Sequence, residues 1–293
     1  MTQTEIWTIG RLLTWTTEFL QKHGVENARL DAEVLLAEAR GCPRIQLYAA
    51  YHEPAEEPTR TTFRELVRRR SEGTPVAYLV GHREFYSMQF HVSPDVLIPR
   101  PETELLVVET LDRVKEQFAS APVRIADVGA GSGVIAVTLA KHAPNSTLTA
   151  IDLSPAALAV ARRNAEAHGV AERIALVESD LFDRVDPQAR FEFVVSNPPY
   201  ITTAEMAELP KDVKEHEPAT ALHAGVQGVE VIERLIPQAA ERLVPGGWLL
   251  IEISPMLRSA AEALLDAEPR LERGDTIKDL AGLARVVQAQ RKL

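Results

Sequence analysis

The sequence predicts an α/β protein, with a doubly wound parallel sheet in its larger C-terminal part and a small all-helical domain before it. Three observations lead there. From Val123 onward, short apolar runs alternate with helical patterns, the rhythm of successive βαβ units. A glycine cluster, Gly129-Ala130-Gly131-Ser132-Gly133, separates the first of those runs from the helical pattern that follows, and open sheets bind ligands at such turns. The first 74 residues show helical spacing and no strand-like run.

The elements follow in order. Ile9, Leu12, Leu13, Thr16, Phe19 and Leu20 share one helical face, with Gly24 as a stop. Leu35, Leu36 and Ala39 mark a second helix, ended by Gly41 and Pro43, and a third runs from about Thr59 to Ser71 with Phe63, Leu66 and Val67 inward. These make residues 1–74 a helical bundle, suited to recognition because nothing in it has catalytic spacing. Residues 75–97 form a linker, whose aromatic-rich run Phe85–Val92 has no helical period and reads as a β-hairpin. Residues 98–293 are the α/β domain. There, Pro101 suits the first position of a helix reaching about Phe118, with Glu102 and Glu104 in its first turn. Strands are expected near 124–128, 147–151, 174–178, 191–196 and 248–253, with two short ones near 271–276 and 284–290. Helices are expected near 134–142, 155–168, 228–243 and 256–267. The segment Thr202–Gln227 is polar and irregular, a long loop of the kind that is usually functional.

Composition bounds the partners. At 293 residues the chain has room for about two domains. Hydrophobic content of 45% and charged content of 25% are ordinary for a soluble globular protein. A net charge of −10 argues against a protein that grips nucleic acid through its phosphates. The run Arg68-Arg69-Arg70 reads as the solvated end of a helix, where cations meet the negative end of the dipole. Cys42 is the sole cysteine, which excludes an internal disulfide and a cysteine metal cluster, and fits a reducing compartment. The start of the chain carries Glu5 and no basic segment leading into an apolar run, so no signal peptide is expected. No apolar stretch approaches the ~18 residues that span a bilayer. The expected setting is the cytoplasm and the expected state a monomer.

The chemistry begins at the glycine loop. Its pattern is G-x-G-x-G, with Val134 where the dinucleotide fingerprint has its third glycine, which argues against a pyrophosphate cofactor. Asp152 ends the second strand of the α/β domain, where an acid grips ribose hydroxyls. Asp127, just before the glycines, is placed to face an ammonium. Asp180 and Leu181 end the third strand, one to accept from an adenine amino group and the other to pack on its ring. A ligand with an amino-acid end and a ribose end but no pyrophosphate is S-adenosylmethionine (SAM). Each residue alone has a structural explanation; the order on this strand pattern is what specifies the ligand.

The fourth strand, Phe191–Ser196, runs into Asn197-Pro198-Pro199-Tyr200. Two prolines remove two N–H donors and stiffen the turn. An Asn side chain, unpaired carbonyls and an aromatic ring remain, a set that suits a planar NH2 group: two oxygens accept its hydrogens and the ring covers its face. Taken alone, the four residues equally fit an ordinary Pro-rich turn.

Together, the loop following Asp127, the strand-end Asp152 and Asn197–Tyr200 resemble the amino-directed class I methyltransferases. The flanks narrow this. Tyr78-Leu79-Val80-Gly81-His82-Arg83-Glu84-Phe85, Leu97-Ile98-Pro99-Arg100-Pro101-Glu102-Thr103-Glu104, Glu217-Pro218-Ala219-Thr220-Ala221-Leu222 and the late Asp279, Gly282 and Arg285 resemble the HemK/PrmC family, essentially end to end. The resemblance implies a class I SAM-dependent methyltransferase fold, a Rossmann-like seven-stranded sheet with an N-terminal helical domain and a β-hairpin linker. It implies methylation of the side-chain amide nitrogen (N5) of the glutamine in the Gly-Gly-Gln motif of peptide chain release factors. By position it puts Gly129, Ala130, Gly131, Ser132, Gly133, Asp152, Leu181 and Asn197 at the cofactor, and Asn197, Pro198, Pro199 and Tyr200 around the glutamine. Arg100 is placed to close the pocket. One departure is Ser254-Pro255, where the family often has glycine after Glu252-Ile253. Three alternatives share parts of the pattern: glutamine methylation on a ribosomal protein, methylation of a nucleobase amine, and a SAM- or translation-factor-binding module without catalysis.

Overall fold

The computed structural model describes residues 6–293, so Glu5 lies outside the described residues. The chain forms two compact units. One comprises the residues up to Gly81 together with Lys211–His216, and the other comprises His82–Pro210 with Glu217–Leu293.

The first unit is helical. It holds α1 (Ile9–Lys22), α2 (Ala28–Arg40), α3 (Arg44–Ala49), α4 (Glu57–Ser71) and α5 (Val76–Val80). The Thr8 hydroxyl caps α1, accepting from Arg11 N. Gly41 closes α2 in the left-handed conformation. The core is Leu13, Leu20, Leu35, Leu36, Leu47 and Phe63, from four of the helices. α3 and α5 add to the three helices expected. Each is about one turn long, too short to display a period, and each starts directly after a proline, Pro43 or Pro75. The arginine run also differs from expectation. Arg68 does pair at the surface with Glu65 and Glu72, but Arg70 turns inward and binds Asp31 of α2 at 2.7 Å, both side chains about nine-tenths buried.

The second unit opens on a hairpin of β1 (His82–Phe85) and β2 (Met88–His91). Tyr86 and Ser87 turn it with φ of +52° and +57°, the two-residue geometry that matches strand twist. Tyr86 N donates to Glu104 Oε1, which holds this non-glycine turn. α6 (Thr103–Phe118) starts two residues later than expected. Pro101 instead sits in a tight turn ahead of the helix, with Glu104 N donating to its carbonyl. The chain continues through β3 (Val123–Val128), α7 (Val134–His142), β4 (Ser146–Asp152), α8 (Pro155–Ala167), β5 (Ile174–Glu178) and β6 (Phe191–Ser196). Thr202–Gln227 is an ordered excursion, not an irregular loop. It contains β7 (Ile201–Thr202), α9 (Glu205–Glu208), α10 (Lys211–His216, in the first unit), α11 (Ala219–Leu222) and β8 (His223–Gly225), and β7 pairs with β8. α12 (Glu230–Arg242), β9 (Leu243–Glu252), α13 (Arg258–Ala267), β10 (Leu271–Arg273), β11 (Ile277–Lys278) and β12 (Ala284–Arg291) complete the chain.

The main sheet runs β10-β12-β9-β6-β3-β4-β5, with β11 paired to β12 as an eighth strand. Strands β3, β4, β5, β6 and β9 are parallel, while β12 is antiparallel to β9, β10 and β11. The sheet is therefore mixed, and it has eight strands where seven were expected. The reason is connection length: no helix lies between β10 and β12, and a parallel return needs a crossover. β11 has only two residues and shows no alternation to read. Both faces are covered. Phe193 and Val195 of β6 pack in the layer with Leu106 and Ile135, and Val194 in the layer with Ile232 and Leu265.

Two buried polar groups fix the glycine loop to this frame. Asn164 of α8 donates to the carbonyls of Ser132 and His91 and accepts from His91 N, at 2.7–3.0 Å. Asp127, wholly buried at the end of β3, accepts from Ala136 N in the first turn of α7. It was expected to face an ammonium; it is buried off the cavity and caps a helix, and its Oδ1 has no partner among the described residues. Burial pushes its carboxyl up to about 7, the Ala136 N–H opposes that rise, and the Asp152 charge adds to it.

Asn164→Ala removes three hydrogen bonds and orphans buried groups, at a cost of about 2–4 kcal/mol. Thermal unfolding followed by circular dichroism should show a midpoint lower by roughly 4–16 °C at about 2–4 °C per kcal/mol. Asp127 has a folded-state pKa above its unfolded one, so the stability it gives is complete below about pH 4 and is lost as pH rises through about 7. Asp127→Asn should therefore flatten the fall in melting temperature of the ligand-free protein between about pH 4 and 7, and an unchanged slope would refute the assignment.

Candidate active site

The strand order reverses between β3 and β6. The last pair there is Val128 with Ser196, joined also by a hydrogen bond from Ser196 Oγ to Val128 O at 2.6 Å. Beyond it, β3 turns into the glycine loop and β6 into Asn197. A cavity of about 550 Å³ opens at these carboxyl ends, within the range of small-molecule sites.

The loop is held on one side by β4, because Gly129 N and Ala130 N both donate to Ile151 O. Gly129, Gly131 and Gly133 all take positive φ, between +54° and +79°, which only glycine adopts without strain. Gly129, Ala130, Gly131 and Ser132 line the cavity. Gly133 does not; it begins α7 and lets α8 approach, since a Cβ there would meet Ala161 Cβ at 3.0 Å. Asp152 lines the cavity with its carboxylate already organised, Oδ2 accepting from Gly131 N and Oδ1 from Ser154 N, each at 2.8 Å. Burial pushes its carboxyl up, and the N–H groups of Ser154, Gly131 and Leu153 pull it down.

Asp180 and Leu181 are on the wall as expected. Asp180 is paired with Arg234 of α12 at 2.7 Å. Leu181 has a φ of +49°, a conformation that costs a branched side chain of order 1–3 kcal/mol and persists only where the surroundings impose it. Phe182 N, the next amide, donates to Gln238 of α12 and anchors that turn.

Asn197, Pro198 and Pro199 line the opposite wall, and Tyr200 lies off it, half-buried. Asn197 Nδ2 donates to Thr103 Oγ1 at 3.1 Å. Burial pushes the Tyr200 phenol up to about 12, and the Glu252 charge adds to the rise, so the ring stays neutral. Arg100 is on the wall, its guanidinium bound to Glu217 Oε1 at 2.6 Å. Glu217 also accepts from Ile98 N, so this buried acid ties the start of α11 to the chain before α6. Asp279, Gly282 and Arg285 form a brace away from the cavity. Asp279 accepts from Ala281 N, Leu283 N and Arg285 Nε in the turn between β11 and β12. Ser254 takes an ordinary extended conformation with φ −65°, so that position needs no glycine.

Three residues of the site escaped the sequence reading. Thr103 accepts from Asn197 Nδ2, and Glu252 follows Ile251, the strand partner of Ser196; no local pattern gives either residue a role. Gly228 passes so close to the lip that a Cβ would meet Tyr200 O at 2.8 Å, and its φ is +81°. Its signal was a lone glycine before an expected helix.

Residues 11–81 match the PrmC N-terminal domain family, and residues 103–211 match the methyltransferase small domain family. The chain is 48% identical to the release factor glutamine methyltransferase of Rhodopirellula baltica over 286 residues, 97% of each protein. It is 42% identical to that of Geobacter sulfurreducens, over 97% of this chain and 96% of the relative. Among solved structures, the T. thermophilus 16S rRNA N2 G1207 methyltransferase, in complex with AdoMet and guanosine, superposes with a TM-score of 0.52 at 20% identity, covering 72% of this chain and 50% of that one. A methyltransferase from Pyrococcus furiosus gives 0.51 at 16% identity, covering 77% and 98%. The structural likenesses show the class I methyltransferase fold. The sequence likenesses, spanning nearly the whole chain at this identity, go further: the chain belongs to the release factor glutamine methyltransferase family.

Proposed function

We propose that the protein transfers a methyl group from S-adenosylmethionine to the side-chain amide nitrogen (N5) of the glutamine in the Gly-Gly-Gln motif of peptide chain release factors. Its family and domain make it a SAM-dependent methyltransferase. One observation supports the choice of an amide target above the rest. Asn197 lines the cavity and gives an N–H to Thr103, which leaves its Oδ1 as the acceptor for a ligand N–H.

The cavity suits the cofactor. An acid with ordered oxygens (Asp152), an apolar side chain (Leu181) and a glycine loop with exposed backbone stand around one space of about 550 Å³. Asp152 would hold the ribose hydroxyls, Leu181 the adenine face and Asp180 the adenine amine, with the loop from Gly129 to Gly133 against the remainder. When bound, the cofactor supplies a methyl carbon made electrophilic by its sulfonium.

The target amide nitrogen is a weak nucleophile, because its lone pair is delocalised into the carbonyl. Asn197 Oδ1 and the Pro198 carbonyl accept its two hydrogens, aim the nitrogen and favour partial pyramidalisation. Alignment of this kind lowers a barrier by about 7–11 kcal/mol at best. The methylated nitrogen then sheds a proton to water. Pro199 stiffens the lip, and Arg100 on the wall with Tyr200 just behind it completes the substrate side. The helical unit recognises the release factor. The enzyme acts as a monomer in the cytoplasm and needs no nucleic acid. No helix among the described residues is long and apolar enough to cross a membrane.

Tritium transfer from labelled SAM to unmethylated release factor, a ribosomal protein fraction, RNA and DNA tests the substrate class. Label in the release factor, mapped by mass spectrometry to the Gly-Gly-Gln glutamine, is the expected result. Label in nucleic acid or in a ribosomal protein would overturn it. Asn197→Ala should lower kcat by about 100-fold or more, from lost alignment, with SAM affinity within a few-fold of the parent. Asp152→Ala should weaken SAM binding in calorimetry by about 1.5–3 kcal/mol per lost charged hydrogen bond. An unchanged Kd would remove Asp152 from the cofactor site.

A further inference from the structure

Among the described residues, two arginines stand on the wall of the cavity, Arg100 and Arg234. Arg234 is taken by Asp180. Arg100 is held differently. One N–H of its guanidinium goes to Glu217 Oε1 at 2.6 Å, and its other donors meet no partner among the described residues. Its side chain is 33% exposed, and the space it borders is the cavity.

Glu217 fixes where that guanidinium stands. Its own side chain is 1% exposed, and its second oxygen accepts from Ile98 N at 3.3 Å. A carboxylate buried between a backbone amide and a guanidinium keeps one orientation, and it draws a flexible arginine into one as well. The arginine backbone is tied down too, since Arg100 O accepts from Thr103 N at 3.2 Å. The Thr103 hydroxyl in turn accepts from Asn197. Arg100 is thus fixed at the Asn197 end of the cavity.

The charges of the two ligands decide what it meets there. The acceptor, a glutamine beside two glycines, brings no charged side chain. The cofactor brings a carboxylate and an ammonium, on an arm bonded to the same sulfonium as the transferred methyl. The acids on the wall, Asp95, Asp152 and Asp180, repel a carboxylate. A guanidinium fork matches one, with N–H donors at the right spacing for its two oxygens.

We propose that Arg100 binds the carboxylate of the methionine arm of SAM, and that Glu217 is the positioning residue that presents it. This rests on the reading of the cavity as the SAM site. Arg100 then selects a ligand with an amino-acid end over a bare nucleoside. Glu217 does not touch the ligand; it keeps the guanidinium from swinging away before the ligand arrives.

The test is calorimetric titration of the full chain with two ligands. S-adenosylhomocysteine keeps the carboxylate, and 5′-methylthioadenosine lacks the whole amino-acid arm. Arg100→Gln should weaken S-adenosylhomocysteine about tenfold or more, a decade being about 1.4 kcal/mol, and leave methylthioadenosine within about twofold. Arg100→Lys, which keeps the charge without the fork, should fall between. Glu217→Gln should weaken S-adenosylhomocysteine alone, by about three- to tenfold, because the arginine must then be immobilised on binding. Removing Arg100 leaves Glu217 buried without its cation, so the double variant Arg100→Gln with Glu217→Gln repeats the measurement free of that charge. Asp152→Ala separates the two claims, because both ligands carry the ribose hydroxyls and both should weaken alike. If the parent binds neither ligand, the reading of the cavity fails. If it binds both, yet the single and double Arg100 variants leave the ratio of the two affinities at the parental value, the role of Arg100 is overturned and the reading of the cavity stands. Parental S-adenosylhomocysteine affinity with a raised KM for release factor would overturn it in the same way, by giving Arg100 to the acceptor. If Arg100→Gln lowers the ratio and Glu217→Gln does not, the positioning role of Glu217 is overturned.

Discussion

The architecture depends on the parting of β3 and β6 at the reversal of strand order. A parallel sheet wound in both directions from its centre cannot cover that point with a crossover, because the connections leave to opposite faces. The chain closes the seam only as far as Val128 and Ser196. The glycine loop and Asn197 to Pro199 lie beyond that pair, on the two segments that leave β3 and β6. The gap is a consequence of topology, and the side chains around it determine what it binds.

Those segments have few backbone partners, so buried polar side chains hold them. Asn164 ties the glycine loop to the hairpin, Asp152 ties it to the end of β4, and Glu217 ties the chain before α6 to that before α11. Such groups are costly to bury and stiff once satisfied. They give a binding site made of loops the precision of one built on regular structure. The left-handed Leu181 fits this account: a strained backbone is kept where an apolar side chain must stand at a strand end, while Gln238 anchors the amide beside it.

Much of this was legible in the sequence. The five parallel strands and their helices announce themselves through apolar runs and periodicity. Gly129 to Ser132, Asp152, Asp180, Leu181 and Asn197 to Pro199 all stand on the cavity, because position at a strand's end dictates position in the crevice. What stayed hidden had physical causes. α3, α5 and β11 are too short to carry a period, and β12 turned antiparallel through a connection whose length sequence patterns mark poorly. Asp127 read as a ligand contact because an acid before a glycine loop looks the same whether it faces the cavity or caps the next helix. Thr103 went unassigned because its significance is a meeting in space, and no local signal records that its hydroxyl stands against the Asn197 amide.

Gly228 has a wider consequence. Its backbone presses on the Tyr200 carbonyl with no room for a single carbon between them. The lip is thereby coupled to the turn that launches α12, and α12 also supplies Arg234 to Asp180 and Gln238 to the amide after Leu181. A lineage adapting this pocket to a bulkier acceptor could not widen the lip alone, since an outward step there would press on the helix that holds the Asp180–Leu181 wall. Variation in what such an enzyme modifies is therefore steered toward the separate helical unit and the excursion between β6 and α12.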